Sequence, residues 1–564
     1  MPDLTLRQKY VTRKGELWNE RSTWMPQWME ISRYLLPRNG RFLVSDRNRG
    51  EKRHNAIYDS SGTRALRVLA AGLMAGMTSP ARPWFRLATT DTGLMEFEPV
   101  KRWLNDVTEL MRTVFQRSNT YRALHTMYEE LGGFGTAASI ILPDFDDVIR
   151  HYTLTTGEYA IGTDHRGEVS TLYREFDMTV AQIVRQFGID SVTPTIKGLW
   201  DTGKLDAWVA VTHVIEPRAD RDVRLKDAKN MPWASCYFES NGDVHGKFLR
   251  ESGFKHYPAL SPRWSATGGD IYGNSPGMEC SGDIKQLQHE QLRKGQGIDY
   301  MVKPPVQMPT SMKNAEFNSL PGGATYVDPT TGGGIKNAFE VKLDLGYLLE
   351  DIRDIRGRID EAFYKNLFMA TLLNDNAQPD TARAVAEKHE EKLIMIGPVL
   401  ERLHNELLKP KIDIAFDEML LAGIIPPPPQ EMQGQPLNVE FISMLAQAQR
   451  AIGVGSIDRF VGTLGSIAGF KPDVLDKFDQ DEWADRYSDM LGIDPEIVVA
   501  NDKVAIVREQ RAKQQAAVAA QQHAGAAADT AQKLANTPTG GETALQDIVS
   551  NYSGYSGPGL PTAA

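Results

Sequence analysis

The sequence predicts an α+β protein that is predominantly helical and built from several domains. Amphipathic patterns with a helical period recur along the chain, whereas the alternation typical of strands is concentrated between Thr136 and Arg250. The 564 residues exceed the length of one ordinary domain, which is about 100–200 residues. With 41% apolar residues, the chain can fill more than one hydrophobic core.

Two helical patterns separated by a Gly/Pro-rich insert form the centre of the chain. The first opens at Ser275-Pro276, where a capping side chain precedes a proline in the first turn, and it continues to about Tyr300. Its surface is polar nearly all round, so we expect it to lie in solvent or to pack against copies of itself. The polar positions are Lys285, Gln286, Gln288, His289, Glu290, Gln291, Arg293, Lys294 and Gln296.

The second pattern predicts one continuous helix from Tyr347 to Leu373. Its apolar residues follow one helical face: Leu348, Ile352, Ile355, Ile359, Phe363 and Leu367. Charged residues, Arg353, Arg356 and Arg358 among them, occupy the other faces. The insert between the two helices, residues 301–346, reads as a small module at the end of a two-helix rod. An ordinary helical hairpin with a long loop is the alternative.

The N-terminal region is predicted to be helical and basic. Aromatic residues mark one side of it, and Pro37 ends it; the aromatic residues are Trp18, Trp24, Trp28 and Tyr34. The segment Arg38–Arg53 is a basic loop, which is either solvated or in contact with an acidic partner. Residues 1–86 hold 16 Lys/Arg and 7 Asp/Glu, which is a net charge of +9. The whole chain has a net charge of −10, so the remaining residues carry −19.

Three helices are predicted before the strands. Asp59-Ser60-Ser61 can cap the first, whose apolar positions are Leu66, Leu69, Leu73 and Met77. Small residues such as Gly72 and Gly76 in that helix permit another helix to approach closely. The next two helices cover Val100–Phe115 and Tyr121–Leu131.

The strand block is predicted to contain seven strands and one short helix. The helix begins at Thr179 and ends at Gly188. Asn241-Gly242 is a hairpin signal that joins the last two strands. The strands are Ala137–Leu142, Val148–Leu154, Glu158–Ile161, Val169–Phe176, Trp208–Ile215, Ala234–Glu239 and Val244–Arg250.

After the rod, the pattern returns to helices. A polar breaker at Asn374–Pro379 precedes a long helix from Thr381 to Gly423, with bends expected at Pro398 and Pro410. Short helices are expected over Val439–Arg508, and an Ala/Gln-rich helix over Val504–Ala535. The final Asn536–Ala564, rich in Gly, Ser, Pro and Thr, is expected to be disordered.

Known catalytic patterns are not found in the sequence. It has no GxxxxGK[ST] and no HExxH, and its two cysteines, Cys236 and Cys280, have no metal-ligating spacing. Three turn aspartates, Asp144, Asp146 and Asp147, could chelate a divalent ion. No apolar run has the length of a membrane helix, which is about 18–20 residues. We therefore expect a protein that is not an enzyme and has no cofactor, no metal and no membrane insertion.

Three blocks of residues together resemble the portal, or head-to-tail connector, proteins of short-tailed bacteriophages, over about Met1 to Ile425. The second block is the most specific of the three. The blocks are Tyr34-Leu35-Leu36-Pro37-Arg38, then Leu69-Ala70-Ala71-Gly72-Leu73-Met74-Ala75-Gly76-Met77-Thr78-Ser79-Pro80 with Pro83-Trp84-Phe85, and Tyr272-Gly273-Asn274-Ser275-Pro276-Gly277.

The resemblance implies a portal fold with an α+β wing, a two-helix stem, a small clip insert and a helical crown. It assigns the N-terminal part of the wing to 1–264, the first stem helix to 265–300, the clip to 301–346 and the second stem helix to 347–373. The channel loop is then 374–380, the long wing helix with its Pro-rich spacer 381–429, the crown 430–535, and the tail 536–564.

The resemblance also implies a function and partners. Portal proteins form a homo-oligomeric ring, usually of twelve copies, at one capsid vertex of the virion, and double-stranded DNA is packaged and ejected through it without sequence specificity. The implied partners are the major capsid and scaffolding proteins, the terminase large subunit, and the tail adaptor and tail tube proteins. Assembly would take place in the cytoplasm of the bacterial host.

Three groups of residues acquire roles from the resemblance. The channel loop would bring polar side chains to the DNA, the stem helices would line the ring, and the clip would dock partners. The channel-loop residues are Asn374, Asp375, Asn376 and Gln378. The stem residues are Lys285, Gln288, Arg293, Arg353, Arg356 and Arg358. The clip residues are Lys313, Asn314, Glu316, Lys336 and Asn337.

Two alternatives remain open at this stage. One is a metal-dependent nuclease that uses Asp144, Asp146 and Asp147. The other is a different phage structural component, such as a tail or internal core protein.

Overall fold

Helices and antiparallel sheets alternate along the chain, which confirms the α+β, predominantly helical fold class. The structure is a computed structural model with two compact units, Met1–Gly453 and Val454–Ala564. It describes residues 5–44, 50, 53–225, 227–242, 246–307, 336–337, 345–373, 395–432, 434, 437–443, 445–446, 460–491, 499, 501–535, 538–539, 542–543 and 552.

Most helices of the first unit lie where the sequence predicts them. They are α1 (Leu6–Ser22), α2 (Met25–Tyr34), α3 (Ser61–Met77), α4 (Thr92–Glu96), α5 (Glu98–Arg117), α6 (Thr120–Phe134), α7 (Val180–Phe187), α8 (Pro194–Asp201), α9 (Pro276–Glu279), α10 (Ser281–Val302), α11 (Leu345–Ala362), α12 (Lys365–Leu373), α13 (395–403) and α14 (Lys409–Leu421). Single 3-10 turns occur at Ala228–Asn230 and Gln430–Met432.

In the described part of the first unit, antiparallel strands form four sheets. The strands are β1 (Phe85–Thr89), β2 (Ala138–Asp144), β3 (Val148–Leu154), β4 (Tyr159–Thr163), β5 (Val169–Thr179), β6 (Trp208–Pro217), β7 (Trp233–Glu239), β8 (Arg250–Phe254), β9 (Ala259–Leu260), β10 (Val306–Gln307), β11 (Lys336–Asn337) and β12 (Leu437–Phe441). The largest sheet has the order β4-β5-β6-β7-β8, and a second has the order β3-β2-β9. Two further pairs are β1-β12 and β10-β11.

The strand predicted over Val244–Arg250 is wrong, because β8 begins only where that segment ends. β7 and β8 still pair as an antiparallel hairpin, as predicted, but their connection is longer than the tight turn expected at Asn241-Gly242. Arg7 on α1 explains part of the difference: its guanidinium donates to the carbonyl of Glu239 at 3.1 Å and to that of Lys247 at 2.9 Å. The backbone between β7 and β8 thus binds a helix side chain instead of continuing the ladder.

The pairing of β1 with β12 contradicts the expectation that Val439–Arg508 contains only short helices. Arg86 on β1 donates to Glu440 on β12 at 2.6 Å, across 354 residues of sequence. Alternate residues of β12 pack against the hydrophobic core; they are Leu437, Val439 and Phe441. This alternation with a period of two is the strand signal that the helical interpretation overlooked.

The helix α3 is the centre of the core of the first unit. Its predicted apolar positions are buried, and it packs against α6, α11 and α12. A Cβ at Gly72 would lie 2.2 Å from Cγ of Phe368, and one at Gly132 on α6 would lie 2.7 Å from Cδ1 of Leu66. The predicted close approach through small residues is confirmed, because neither contact leaves room for a methyl group.

The long helix predicted from Thr381 to Gly423 is helical in its described part, which begins at residue 395. Instead of a simple bend at Pro410, a π-helical turn occupies His404–Leu408. Within that turn Glu406 accepts from the backbone N–H and from Nη2 of Arg263, each at 2.8 Å. The π turn ends two residues before Pro410, and its Glu406 side chain anchors the helix to Arg263, which follows β9.

The described part of the second unit is helical apart from one short strand pair. Its elements are α15 (460–468), a 3-10 segment (Pro472–Lys477), α16 (Gln480–Leu491), α17 (Asn501–Ala535), β13 (Pro538–Thr539) and β14 (Glu542–Thr543). Arg508 on α17 binds Asp481 on α16 through Nη2 at 2.6 Å. The helix predicted over Val504–Ala535 is confirmed, whereas most of the tail predicted to be disordered lies outside the described residues. Among the described helices, none combines the length and apolar composition that a bilayer span requires.

A lysine without a hydrogen-bond partner lies in the core of the first unit. Lys411 on α14 is completely buried, and its Nζ lies 4.4 Å from the ring centroid of Phe115 and 5.3 Å from that of Trp84. Burial lowers the pKa of Lys411 well below its ordinary value. Burial, and then the charge of Lys411, lower the pKa of the neighbouring His151 in the same way.

We predict that Lys411→Met stabilises the protein at neutral pH, because Met fills a similar volume without an amine to desolvate. The folded state lowers the pKa of this lysine. The loss of folding stability caused by burying it is therefore largest at low pH, and it disappears as the pH rises to the pKa in the unfolded chain, about 10.4. The difference in unfolding free energy between the variant and the wild type should shrink by about 1.4 kcal/mol per pH unit between pH 8 and pH 10. Urea unfolding at several pH values measures it.

Lys409→Met is the matched control, since Lys409 is exposed on the same helix, two residues away. Its effect on unfolding free energy should be small and independent of pH. If both variants showed the same pH dependence, the hypothesis that Lys411 is buried in its neutral form would be refuted.

Candidate functional site: the two-helix rod

The first helix of the rod begins at a buried cap, as predicted. Ser275 Oγ accepts from the backbone N–H of Met278 at 3.0 Å and donates to the carbonyl of Gly133 at 2.8 Å. The helix is not continuous from there to Tyr300: the single turn α9 ends at Glu279, and α10 begins at Ser281. The cap therefore fixes the start of the rod to the end of α6.

The second helix of the rod buries the predicted apolar stripe inside its own chain. Ile352, Ile355 and Ile359 are at most 1% exposed. The prediction of one unbroken helix over Tyr347–Leu373 is wrong, because Tyr364 has φ of +54° and separates α11 from α12. A left-handed tyrosine is rare, and no glycine or proline at this point marks the break in the sequence.

Charged contacts show that α10 and α11 are antiparallel. Arg358 Nη1 lies 3.0 Å from Asp283 Oδ1 at one level of the rod. Seven residues further along α10, Glu290 lies beside Asp351, which is seven residues earlier in α11. Burial first, and then the adjacent Asp351 carboxyl, raise the pKa of Glu290.

The carboxylate of Asp59 joins the rod to the start of α3. Its Oδ2 accepts from Arg356 Nη2 at 2.6 Å, from Arg356 Nε at 3.1 Å and from Gln291 Nε2 at 3.0 Å. Its Oδ1 accepts from the backbone N–H of Ser61 at 2.8 Å, so Asp59 performs the capping that the sequence assigned to the Asp59-Ser60-Ser61 group. One side chain thus connects three helices.

Gln288 completes this joint through the backbone. Its Oε1 accepts from the N–H groups of Tyr58 and Asp59 at 2.7 and 2.8 Å, and its Nε2 donates to the carbonyl of Asp59 at 2.9 Å. Gln288 and Asp59 are both buried. Burial acts to raise the pKa of Asp59, but hydrogen bonds from Ser61 and Arg356 outweigh it, and the pKa is lowered. The joint is therefore held by an ionised carboxylate.

The remaining predicted stem residues are distributed along the rod. Lys285 binds Glu30 on α2 at 2.9 Å, and Arg293 Nε lies 3.4 Å from His289 on its own helix. Arg353 is exposed on α11. The six predicted stem residues are thus all polar groups of the rod, but Lys285, Gln288, Arg356 and Arg358 already bind partners in the same chain.

The other end of the rod carries exposed apolar side chains. They are Ile298, Tyr300, Met301 and Val302 on α10, with Tyr347 and Leu349 on α11. Val302 is 79% and Tyr347 77% exposed. Large apolar groups exposed together indicate a surface that binds another protein.

The predicted clip and channel-loop residues are largely beyond the described part. Lys336 and Asn337 form β11, which pairs with β10 at the end of α10. Lys313, Asn314 and Glu316 lie outside the described residues, as do Asn374, Asp375, Asn376 and Gln378.

The three turn aspartates considered for a metal site lie on the β2–β3 hairpin. Asp144 Oδ2 accepts from the backbone N–H of Asp147 at 3.3 Å. Within the described ranges, no three His, Cys, Asp or Glu side chains are arranged to hold a metal ion, and these aspartates fall inside those ranges.

Sequence reasoning missed Asp59 and Gln291 as members of the joint, and it missed Asp283 as the partner of Arg358. From the sequence, Asp59 is interpreted only as a helix cap. Its partner Arg356 lies 297 residues further along the chain, so no local pattern indicates the contact. The one available signal is the polar surface of α10 itself, since a helix without an apolar stripe needs polar partners.

The chain resembles phage portal proteins in comparisons with known proteins. A protein-family model described as "Bacteriophage head to tail connecting protein" matches residues 7–498. A "Probable portal protein" of Bordetella phage BPP-1 is 59% identical over 556 residues, covering 98% of this chain and 100% of the relative. The "Portal protein" of Salmonella phage epsilon15 is 44% identical over 546 residues, covering 96% and 98%.

Among solved structures, this chain is similar to chains of gene transfer agent particles. One comes from the neck of an empty particle, with 13% identity, a TM-score of 0.36, and coverage of 81% of this chain and 96% of that chain. Another comes from the virion of a native particle, with 12% identity, a TM-score of 0.33, and coverage of 85% and 99%.

We predict that Asp59→Asn lowers the unfolding free energy by about 1–3 kcal/mol, because a charged hydrogen-bond acceptor in a buried joint is lost. The cost should not be larger, since Arg356 is 44% exposed and can be rehydrated. The pKa of Asp59 is lowered, so its contribution is present above the ordinary carboxyl pKa and disappears as the pH falls through the lowered value. Urea unfolding of both proteins at neutral and acidic pH measures this.

Asp283→Asn is the control, because Asp283 pairs with Arg358 on the same two helices but is more exposed. It should cost less than about 1 kcal/mol. Equal decreases in unfolding free energy for the two substitutions would contradict the hypothesis that the buried Asp59 contributes more to stability than Asp283.

Proposed function

Because the chain belongs to the bacteriophage head to tail connecting protein family, we propose that it forms a closed ring of twelve copies at one capsid vertex, through which double-stranded DNA is packaged and ejected. Family membership rests on the match over residues 7–498 and on two portal relatives that cover nearly the whole chain. The ring, its number and its channel are what membership implies for this chain.

The observation that carries the proposal is the asymmetry of the rod. At its base, buried contacts of Asp59, Gln288 and Ile355 attach it to its own chain. At its far end, six large apolar side chains are exposed, from Ile298 on α10 to Leu349 on α11. Neighbouring rods in a ring would cover such a surface, and a helix with polar faces can at the same time border a hydrated channel.

The charge of the chain supports a channel that does not grip DNA. Double-stranded DNA carries one negative charge per ~1.7 Å of its axis, and tight binding needs many neutralising cations. The net charge of this chain is −10. We therefore propose that contact with DNA is non-specific and limited to the backbone.

Partners are proposed from the family and from the position of each region. The wing would contact the major capsid protein and the scaffolding protein. The clip, with Lys313, Asn314, Glu316, Lys336 and Asn337, would dock the terminase large subunit during packaging, and afterwards the tail adaptor and tail tube proteins. The protein would be assembled in the cytoplasm of the bacterial host and would remain at the portal vertex of the virion.

The polar breaker between the rod and the long helix is proposed as the channel loop. Asn374, Asp375, Asn376 and Gln378 contain no large apolar group that would require a core. We propose that they face DNA and help to retain a packaged genome. The proposal rests on sequence and family alone.

The rival functions are not favoured. The relatives that match almost the full chain are named portal proteins, not nucleases or core proteins. Asp144, Asp146 and Asp147 do not form a metal-binding group. We therefore propose a structural role without catalysis by this chain.

We predict that the purified protein forms rings with a central hole, because the exposed end of the rod needs neighbours. Negative-stain electron microscopy should show them, and light scattering should give a mass near twelve times 62.8 kDa. A single-chain mass at micromolar concentration in both low and high salt would contradict the proposed function.

We predict that replacing Asn374–Gln378 by Gly/Ser leaves rings and thermal stability nearly unchanged but alters packaging or genome retention. The reason is that a polar segment without apolar groups contributes little to a core, whereas it would touch DNA in a channel. The measurement is the amount of nuclease-protected DNA in particles assembled with the variant.

Replacing the equally long segment 219–223 by Gly/Ser is the control, because all five residues are exposed on the wing. It should change neither rings nor protected DNA. If the Asn374–Gln378 variant packages and retains DNA normally, this segment only connects two helices, and its assignment as the channel loop is refuted.

A further inference from the structure

We propose that Glu130 is a pH-dependent latch: its buried carboxyl fastens residues 39–44 to the turn between β3 and β4, and this segment is released more readily once the carboxyl is ionised. Residues 39–44 follow α2 and belong to the basic stretch of residues 38–53. The inference goes beyond the proposed function and does not depend on it, because every group involved belongs to a single chain.

Four hydrogen-bond donors bind the Glu130 carboxyl, which projects from α6. Its Oε1 accepts from Asn39 Nδ2 at 2.9 Å and from Thr155 Oγ1 at 2.7 Å. Its Oε2 accepts from the backbone N–H and from Oγ1 of Thr156, both at 3.1 Å. Asn39 belongs to the segment and the two threonines belong to the turn, so the carboxyl is the point where segment and turn are joined.

The backbone of the segment is bound to the same turn. The N–H of Gly40 donates to Thr155 Oγ1 at 2.7 Å, and the N–H of Arg41 donates to the carbonyl of Thr156 at 2.8 Å. A Cβ at Gly157 would lie 2.4 Å from the carbonyl oxygen of Arg41, so the two backbones are in contact. Because the Thr155 hydroxyl also donates to the latch carboxyl, a change in that carboxyl reaches the segment directly.

No cation balances this carboxyl. Glu130 is 2% exposed, its four hydrogen-bond donors are neutral, and across the described ranges no ion pair involves it. Burial raises the pKa of Glu130 to about 7, although hydrogen bonds from Thr155, Thr156 and Asn39 act to lower it. The carboxyl therefore changes its protonation state near neutral pH.

Two ionisable groups close to the latch keep one protonation state through this range. Burial first, and then the charge of Glu130, raise the pKa of Tyr159 well above its ordinary value, so the phenol stays protonated. Arg21 on α1 donates to the carbonyl of Gly157 at 2.6 Å and to that of Tyr159 at 3.2 Å. The guanidinium is thus bound to the backbone of the turn and of β4, not to the carboxyl.

Glu158 is the one further carboxyl of the turn and has to be tested separately. It accepts from the backbone N–H of Thr155 at 3.5 Å and lies 3.8 Å from Arg41. Burial raises the pKa of Glu158, and the charge of Arg41 opposes this effect. Unlike the latch carboxyl, Glu158 therefore has a counter-ion, which comes from the segment itself.

Release of the segment removes Asn39 from the carboxyl and admits water to it. A hydrated glutamate has a pKa of about 4.3, whereas the fastened Glu130 has a pKa of about 7. Below about pH 4.3 both forms are protonated and neither is favoured. Between about pH 4.3 and 7 the released form ionises first, so the equilibrium shifts toward release. Above about pH 7 both forms are ionised and the shift is complete.

Little apolar packing opposes release of the segment. Leu43 is 70% exposed. A cavity of ≈ 260 Å³ lies beside the segment, with Phe42, Leu43 and Val44 among its lining residues and Trp18 and Trp208 on the other elements that border it. A part of a chain with few buried apolar contacts opens at low free-energy cost. The latch thus determines how firmly the start of the basic stretch is held.

Hydrogen–deuterium exchange of the full-length protein at pH 5, 6, 7 and 8 tests the latch. The reporters are the backbone N–H groups of Gly40 and Arg41, with each rate divided by the intrinsic exchange rate at that pH. We expect the corrected exchange to rise at least about tenfold from pH 5 to pH 7 and then to level off, because the two pKa values are about 4.3 and about 7. The N–H groups of β6, the middle strand of its sheet, should show no such rise.

Glu130→Gln applies the test to the carboxyl itself. Glutamine has nearly the same shape and cannot ionise, so the corrected exchange of Gly40 and Arg41 should become independent of pH. Glu158→Gln is the matched control, because Glu158 is a buried carboxyl of the same turn, and the rise should persist in this variant. A rise that survives in Glu130→Gln but is lost in Glu158→Gln would assign the pH dependence to Glu158 and overturn the proposal.

The wild-type profile alone can refute the latch, even if Glu130→Gln fails to fold. Corrected exchange at Gly40 and Arg41 that is constant or falls from pH 5 to pH 7 would show that ionisation does not release the segment. Light scattering of the same samples records the assembly state, so a change in ring formation is not mistaken for release. Rings without the rise overturn only the latch, whereas the rise without rings overturns only the proposed function.

Discussion

The rod depends on one buried carboxylate. Asp59 stands at the start of α3 and binds Arg356 and Gln291, one on each rod helix. An ionised group in a buried place is stable only where hydrogen bonds and a counter-ion replace its lost water. The position of α3 and the direction of both rod helices are therefore set together, because a shift of any one of them takes a hydrogen-bond donor or the Arg356 counter-ion away from the buried carboxylate.

The core of the first unit accommodates a buried amine in a different way. Lys411 has aromatic ring faces around Nζ, no hydrogen bond and a pKa far below the ordinary value. Asp59 specifies a geometry, since its donors lie at fixed distances, whereas the ring faces around Lys411 impose little direction. We infer that the joint between α3 and the rod is more sharply defined than the packing around α14.

Local patterns predicted local structure well. The stripe of α11, the cap at Ser275 and the small residues of α3 follow from residues within a few turns of each other, and the structure confirms them. The β1–β12 pair joins segments 354 residues apart, which periodicity cannot reveal. The left-handed conformation of Tyr364 is not marked by a glycine or proline in the sequence, so the break between α11 and α12 could not be predicted.

The candidate site was harder to predict because periodicity separates polar from apolar faces but not one polar partner from another. Gln288 and Arg356 were predicted to line a ring, yet the structure places both around Asp59. The clip and channel-loop residues stay predictions, since they rest on family resemblance and lie mostly outside the described residues.

The internal pairing of the rod bears on the proposed channel. Lys285, Arg356 and Arg358 lie within 3.0 Å of Glu30, Asp59 and Asp283, respectively. Each pair is close to neutral, so the rod presents less positive charge to a passing polyanion than a count of its cations suggests. DNA affinity depends on the number of phosphates that the protein neutralises. Cations that are already paired with carboxylates therefore add little to the affinity for DNA. The contacts that hold the rod together and fix it to α2 and α3 would therefore also keep a channel wall from holding the DNA that moves along it.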